Sequence, residues 1–135
     1  MHKQIFVNLA VNDLPQSRAF FESLGMRIDP KFTNDQAACV VLGEKIYAML
    51  LVKDFFKTFT GKPLSDASKQ TEVLVCLSCE NRAEVDALVA KAVAAGGTAP
   101  RAPLDQGWMY GHGFEDLDGH IWELMFMDLN AKGAP

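Results

Sequence analysis

The stretch that decides the fold is Phe114-Glu115-Asp116-Leu117-Asp118-Gly119-His120-Ile121-Trp122-Glu123-Leu124. Residues 116 to 119 are turn chemistry: short acidic side chains that tolerate tight backbone geometry, then a glycine free to take a positive φ. Apolar runs flank the turn, so the segment reads as a β-hairpin. The strand beyond it, residues 121 to 127, is apolar except for Glu123. A carboxylate in such a run is rarely buried without a partner. Glu123 therefore faces solvent, pairs with a cation or binds a metal, and the choice among these is most of the functional problem.

Working back from the hairpin, residues 108 to 115 form its first strand, and Tyr110, His112 and Phe114 alternate onto one face. If that face looks into a cleft, His112 is the best proton-transfer candidate, with Tyr110 beside it. Otherwise it is a packing or surface histidine. His120, just past the turn glycine, reads as a surface residue. Gly107, Gly111 and Gly113 do not make a phosphate loop, because they precede and sit in a strand rather than open a helix.

Further upstream, residues 72 to 79 read as a strand. Asn81 then caps a helix, with Glu84 three residues on as in a capping box. Val85, Leu88, Val89, Ala92 and Val93 recur at helical spacing as an amphipathic stripe, and Gly96-Gly97 ends it. A short strand at residues 98 to 101 and a loop lead into the hairpin, completing a β-α-β-β-β module over residues 71 to 128.

The first half shows the same order. Residues 5 to 11 alternate, with Ile5, Val7, Leu9 and Val11 on the greasier, helix-packing face and Phe6, Asn8 and Ala10 on the other. Asp13 is the N-cap of a helix, with Pro15 in its first turn and Gly25 at its end. A strand at residues 26 to 31, weakened by Pro30, and strands at 37 to 42 and 46 to 52 follow. Residues 1 to 52 are thus a first module, and residues 129 to 135 a tail. The connection at residues 53 to 70 carries Phe55, Phe56 and Phe59 on one side at helical spacing. It reads either as a short helix over a sheet edge or as a lid or dimer contact.

A chain of 135 residues, 49% hydrophobic and 22% charged, supports a single domain with a sizeable core. The net charge of −4, without a basic run, argues against nucleic-acid or anionic-membrane binding. No apolar stretch approaches the roughly 20 residues of a membrane span. With no signal-peptide pattern and an odd count of 3 cysteines, the expected setting is a reducing cytoplasm. Cys76 and Cys79 have C-x-x-C spacing, but on a strand they point to opposite faces. A redox pair needs the motif at a helix start.

Two β-α-β-β-β modules in one short chain resemble the vicinal oxygen chelate superfamily: glyoxalase I, fosfomycin-resistance enzymes, extradiol dioxygenases and metal-free bleomycin-resistance proteins. The matching stretches are Val7-Asn8-Leu9-Ala10-Val11-Asn12-Asp13-Leu14 with Phe20-Phe21 and Leu24-Gly25, and Glu115-Asp116-Leu117-Asp118-Gly119-His120-Ile121-Trp122-Glu123-Leu124. The latter is similar to the family's D-P-D-G-x-x-x-E-L signature, with Leu117 in place of proline. The resemblance implies an α+β fold in which two curved sheets border a cleft, and a homodimer.

The resemblance also implies a metal site with four slots for His, Glu or Gln. Carried over residue by residue, they fall on Phe6, Met49, Leu74 and Glu123. Only the last is a ligand type, and catalytic sites normally use about three protein ligands. The expectation is therefore no cofactor, with a divalent metal (Ni, Zn, Mn or Fe) as the rival. Period-two alternation places Asn8 beside Phe6, Leu51 beside Met49, Cys76 beside Leu74 and Met125 beside Glu123. That is an apolar, ligand-binding surface with a few polar groups, suited to a small organic ligand. The rival is a glyoxalase- or dioxygenase-like enzyme with Glu123 as base or surviving ligand.

Overall fold

A computed structural model describes all residues from Met1 to Pro135. The chain divides into two compact units, Met1–Ser65 and Asp66–Pro135. Each unit carries one β-α-β-β-β module, and the fold is α+β.

In the first unit, β1 (Ile5–Val11), α1 (Leu14–Ser23), β2 (Arg27–Asp29), β3 (Ala37–Gly43) and β4 (Ile46–Val52) build a sheet in the order β1-β4-β3-β2. β1 runs parallel to β4; the other pairs are antiparallel. α1 starts where the Asp13 carboxylate accepts the Gln16 N–H at 3.0 Å. Its Leu14, Phe20 and Phe21 are buried, as are Leu9, Val11, Ala48 and Leu50 on one face of the sheet. Pro30 stops β2 short, because it opens a 3-10 turn, Pro30–Phe32, instead of extending the strand. After β4 come a short helix α2 (Lys53–Phe56), packed on β1 and β4, and a 3-10 turn, Lys57–Phe59. The rings of Phe55 and Phe59 meet edge to face, 5.1 Å apart.

In the second unit, β5 (Leu74–Ser78), α3 (Arg82–Ala94), β6 (Leu104–Asp105), β7 (Met109–Glu115) and β8 (Ile121–Met127) repeat the pattern, with sheet order β5-β8-β7-β6. Half of the expected capping box forms, and its return bond falls one residue before the cap. Asn81 accepts the Glu84 N–H at 2.8 Å, and the Glu84 carboxylate accepts the Glu80 N–H at 2.7 Å. α3 buries Val85, Val89 and Ala92, but Val93, at the end of the apolar stripe, is 48% exposed. The expected strand at residues 98 to 101 is not formed. Thr98 makes one bridge to Glu115, and the strand pairing resumes only at Leu104–Asp105. Pro100 and Pro103 lie in the gap, and a proline has no N–H to donate to a neighbouring strand. Residues 98 to 105 thus form a strap along the outer edge of β7.

The hairpin is as the sequence suggests. Asp116 N–H donates to His120 O at 3.0 Å, Gly119 N–H donates to Asp116 O at 3.1 Å, and Gly119 takes φ +94°. Phe114 and Trp122, cross-strand partners behind it, are buried, and their rings are nearly parallel with centroids 6.4 Å apart. No helix is long and apolar enough to cross a membrane.

Candidate ligand pocket

Strand register decides which side chains share a face with Glu123. β7 and β8 pair Gly111 with Met125, Gly113 with Glu123 and Glu115 with Ile121; directly opposed residues point the same way. On the other side, β5 pairs Leu74 with Ile121, Cys76 with Glu123 and Ser78 with Met125. One face of the sheet therefore carries Leu74, Cys76, Ile121, Glu123 and Met125 with Gly111, Gly113 and Glu115. The opposite face carries Phe114, Trp122 and Leu124, all buried, and α3 packs on β7 and β8.

Over the Glu123 face lies a cavity of about 410 Å³. Its floor is Glu123 and Met125 from β8 and two glycines, Gly111 and Gly113, from β7; its wall is the strap, from Pro100 to Leu104. The glycines create the space. A side chain at either would rise between β8 and the strap, and at Gly113 even a Cβ would meet Trp122 O at 2.9 Å. The volume is that of a small-molecule pocket. Glu123 is half-buried there, and no hydrogen-bond donor or cation of the chain reaches its carboxylate. Its charge is felt by Cys76, whose thiol is pushed up first by burial and then by Glu123. Cys79, just past β5, is pushed up to about 11, mainly by burial and then by Glu84. Neither is a reactive thiolate at neutral pH.

The expected grouping with Glu123 is corrected by this register for Tyr110, whereas His112 lines the same cavity as Glu123 although its strand position alternates with Gly111 and Gly113. Tyr110 pairs with Phe126 and His112 with Leu124, so both strand positions belong to the face opposite Glu123. The physical reason is the two-residue period: even-numbered positions of β7 lie on the helix side, and Glu123 is opposite odd-numbered Gly113. Tyr110 instead donates its hydroxyl to Asp86 of α3 at 2.5 Å, beneath the Arg82 guanidinium 4.8 Å from its ring centre. His112 Nε2 lies 2.9 Å from Arg101 O, at the strap.

Arg82 also forks onto the Asp105 carboxylate at 2.7 and 2.9 Å and reaches Gly107 O at 3.0 Å. The Arg82 hydrogen bonds, with help from the Gly107 N–H, hold the Asp105 carboxyl down at about 2. The folded value lies below the ordinary 3.8, so the pair's contribution is complete above 3.8 and is lost as pH falls through about 2. Asp105→Asn should lower the urea midpoint slightly at neutral pH, since the pair is exposed. That gap should close as pH falls from 3.8 toward 2. A gap that does not change with pH would show that the ion pair contributes nothing.

In the first unit, Phe6, Asn8, Met49 and Leu51 do share one face: β1 and β4 pair Asn8 with Met49 and Phe6 with Tyr47. Phe6 is 47% exposed, its ring stacked on Tyr47 with centroids 4.8 Å apart, while Leu51 is buried.

The family model of the Glyoxalase/Bleomycin resistance protein/Dioxygenase superfamily matches residues 3–124. The chain belongs to this superfamily. A hypothetical protein, SA1046 from S. aureus, is 29% identical, with a TM-score of 0.78 over 93% of this chain and 95% of that one. A glyoxalase-related enzyme from Fulvimarina pelagi shares the fold at 23% identity, with a TM-score of 0.77 over 93% and 88% of the two chains. So does the fosfomycin resistance protein FosX from Mesorhizobium loti, at 16% identity and a TM-score of 0.68 over 93% and 92%. A search of curated proteins returned no match.

Membership in the glyoxalase superfamily makes the metal question concrete. Of the slots the resemblance implies, Phe6 offers a ring already stacked on Tyr47, Met49 a thioether and Leu74 an alkyl group 51% exposed. None is a ligand for a hard or borderline divalent ion. Glu123 is the single carboxylate, and no three His, Cys, Asp or Glu side chains come together anywhere. The donor set does not fit a metal.

Sequence reasoning missed the strap, Arg101 and Glu115. One signal was available: Gly111 and Gly113 are two residues apart, so on a strand they leave adjacent gaps on one face. The prolines at 100 and 103 were the other, marking a segment that lies along a sheet without joining it.

Proposed function

We propose that this member of the glyoxalase superfamily is a metal-independent protein that binds a small organic ligand, with Glu123 as the polar anchor of the site. The observation that carries the reading is Glu123 itself: a half-buried carboxylate without a donor, on the floor of a cavity otherwise walled largely by apolar groups. A carboxylate left this way favours a ligand that brings the missing donor. Met125 and Ile121 offer apolar contact beside it. The resemblance further supports a homodimer, which sedimentation velocity reads directly.

The test pairs metal content with ligand binding. After incubation with Ni²⁺, Zn²⁺, Mn²⁺ or Fe²⁺ and gel filtration, the protein should carry far less than one metal per chain. A panel of small organic amines should raise its Tm, and Glu123→Ala should abolish that rise. Stoichiometric metal that disappears in Glu123→Ala would overturn the reading.

The same free carboxylate favours one second reading, a lyase-type enzyme with Glu123 as general base and no metal. Turnover of a methylglyoxal–glutathione hemithioacetal that fails in Glu123→Gln separates it from the first.

A further inference from the structure

The cavity is not symmetric in charge. Glu123 stands on β8, and the single cationic residue lining the space, Arg101, stands on the strap. Between them runs β7, which presents Gly113 and Gly111 and therefore bare backbone. The strap pairs with β7 at both ends, through Thr98 to Glu115 and Leu104 to Gly111, so it follows the far side of that strand. Glu123 and Arg101 are thus about two strand spacings apart, roughly 10 Å between backbones. Both line the same space, and no ion pair joins them. Glu115, a diagonal neighbour of Glu123, also lines the cavity, but its carboxylate has the Thr98 hydroxyl at 3.5 Å and its strand end is closed by the Thr98 bridge.

We propose that the cavity takes a small, flat zwitterion: an amine cation against Glu123, a carboxylate toward Arg101, and an apolar body lying over Gly111 and Gly113. This rests on the ligand-binding reading above and adds the ligand's class. Each part answers to a feature of the floor. Glu123 lacks a donor, and an ammonium brings one. Arg101 carries a guanidinium, which can donate two parallel N–H bonds to a carboxylate. The glycines leave no side chain to lift a flat body off the sheet, and Met125 and Ile121 flank it with apolar surface. A purely anionic ligand would set its charge beside Glu123. A purely cationic one would leave Arg101 unused.

The probe is 4-(aminomethyl)benzoate, whose amine and carboxylate sit at opposite ends of a ring. Three relatives remove the charges: benzylamine has no carboxylate, 4-methylbenzoate no amine, and 4-methylbenzyl alcohol neither. By calorimetry the zwitterion should bind the wild-type protein at least about tenfold more tightly than any of the three. Glu123→Gln should erase its advantage over 4-methylbenzoate, and Arg101→Gln its advantage over benzylamine. Arg101 is exposed, so its variant tests the site without risk to the fold. Equal binding of the neutral alcohol, or of benzylamine, would overturn the zwitterion and leave the pocket standing. Failure of all four to bind would overturn both.

Discussion

Gly119→Ala is expected to cost the protein roughly 2–5 kcal/mol, more than an alanine at any other positive-φ glycine of the chain. Two independent penalties meet at this residue. Gly119 has φ +94°, a conformation that costs an L-residue about 1–2 kcal/mol. In addition, a Cβ there would lie 2.7 Å from Ala67 O and 2.8 Å from Ser68 Cα. Both are backbone-defined positions, so relief requires the turn at residues 66 to 69 to move away. That turn is itself tied, by Lys69 and Gln70 N–H groups donating to Asp66 O and by Ser68 donating to the Asp66 carboxylate. Urea unfolding followed by Trp fluorescence measures the loss, since buried Trp122 sits just after the turn. Gly25→Ala is the comparison: φ is +90°, yet nothing lies within 4 Å of a Cβ built there, so it should carry the conformational penalty alone. Equal losses at the two sites would mean that the contact with residues 67 and 68 contributes nothing.

The contrast between these glycines shows what a sequence discloses. That Gly119 takes a positive φ follows from its place after Asp116-Leu117-Asp118, because local turn chemistry needs only neighbours. That it also seats a loop some fifty residues earlier does not follow, because that contact is tertiary. The module order was legible for the same local reason. Caps at Asp13 and Asn81, glycine stops at Gly25 and Gly96, and alternating strands are all written within about ten residues. β6 was misplaced because the pairing of Thr98 and of Leu104 depends on β7, and two prolines interrupt what composition alone reads as one extended segment.

The candidate site divides the same way. The isolation of Glu123 among apolar neighbours was visible in the sequence, as was the mismatch of Phe6, Met49 and Leu74 with a ligand set. The pairing of Cys76 and Met125 with its face followed from the two-residue period. The face of Tyr110 and His112 did not, because the offset between β7 and β8 is set by the turn and cannot be read from either strand. A cavity made by absent side chains is harder still. Gly111 and Gly113 matter because Glu123 and the strap stand on either side of them, and only the assembled sheet shows that.

Asp116→Ala is the second large effect, expected at about 3–4 kcal/mol. The Asp116 carboxylate gathers three donors: Asp118 N–H and His120 N–H at 3.0 Å on Oδ1, and the Trp122 indole N–H at 3.0 Å on Oδ2. Trp122 is 1% exposed, so removing this acceptor loses a buried hydrogen bond that bulk water does not replace. Asp116→Asn keeps Oδ1 for the turn. It sets either a second donor or a reoriented amide against the indole, and about half the loss should remain. Trp122→Phe removes the indole donor as well, so on that background the extra cost of Asp116→Asn should shrink; an undiminished cost would place the effect in the turn rather than in the Trp122 bond. The pH dependence carries its own sign. Burial pushes the Asp116 carboxyl above its ordinary 3.8, outweighing the Trp122 hydrogen bond that pulls it down. The native state then holds the proton more tightly than the unfolded chain. This group's contribution is therefore greatest below 3.8 and is lost as pH rises through the raised value. The stability of wild type relative to Asp116→Asn should accordingly fall as pH rises above 3.8 and level off only once the pH has passed the raised value. A relative stability that instead rises across that window would mean that the three donors hold the carboxylate ionised against its burial.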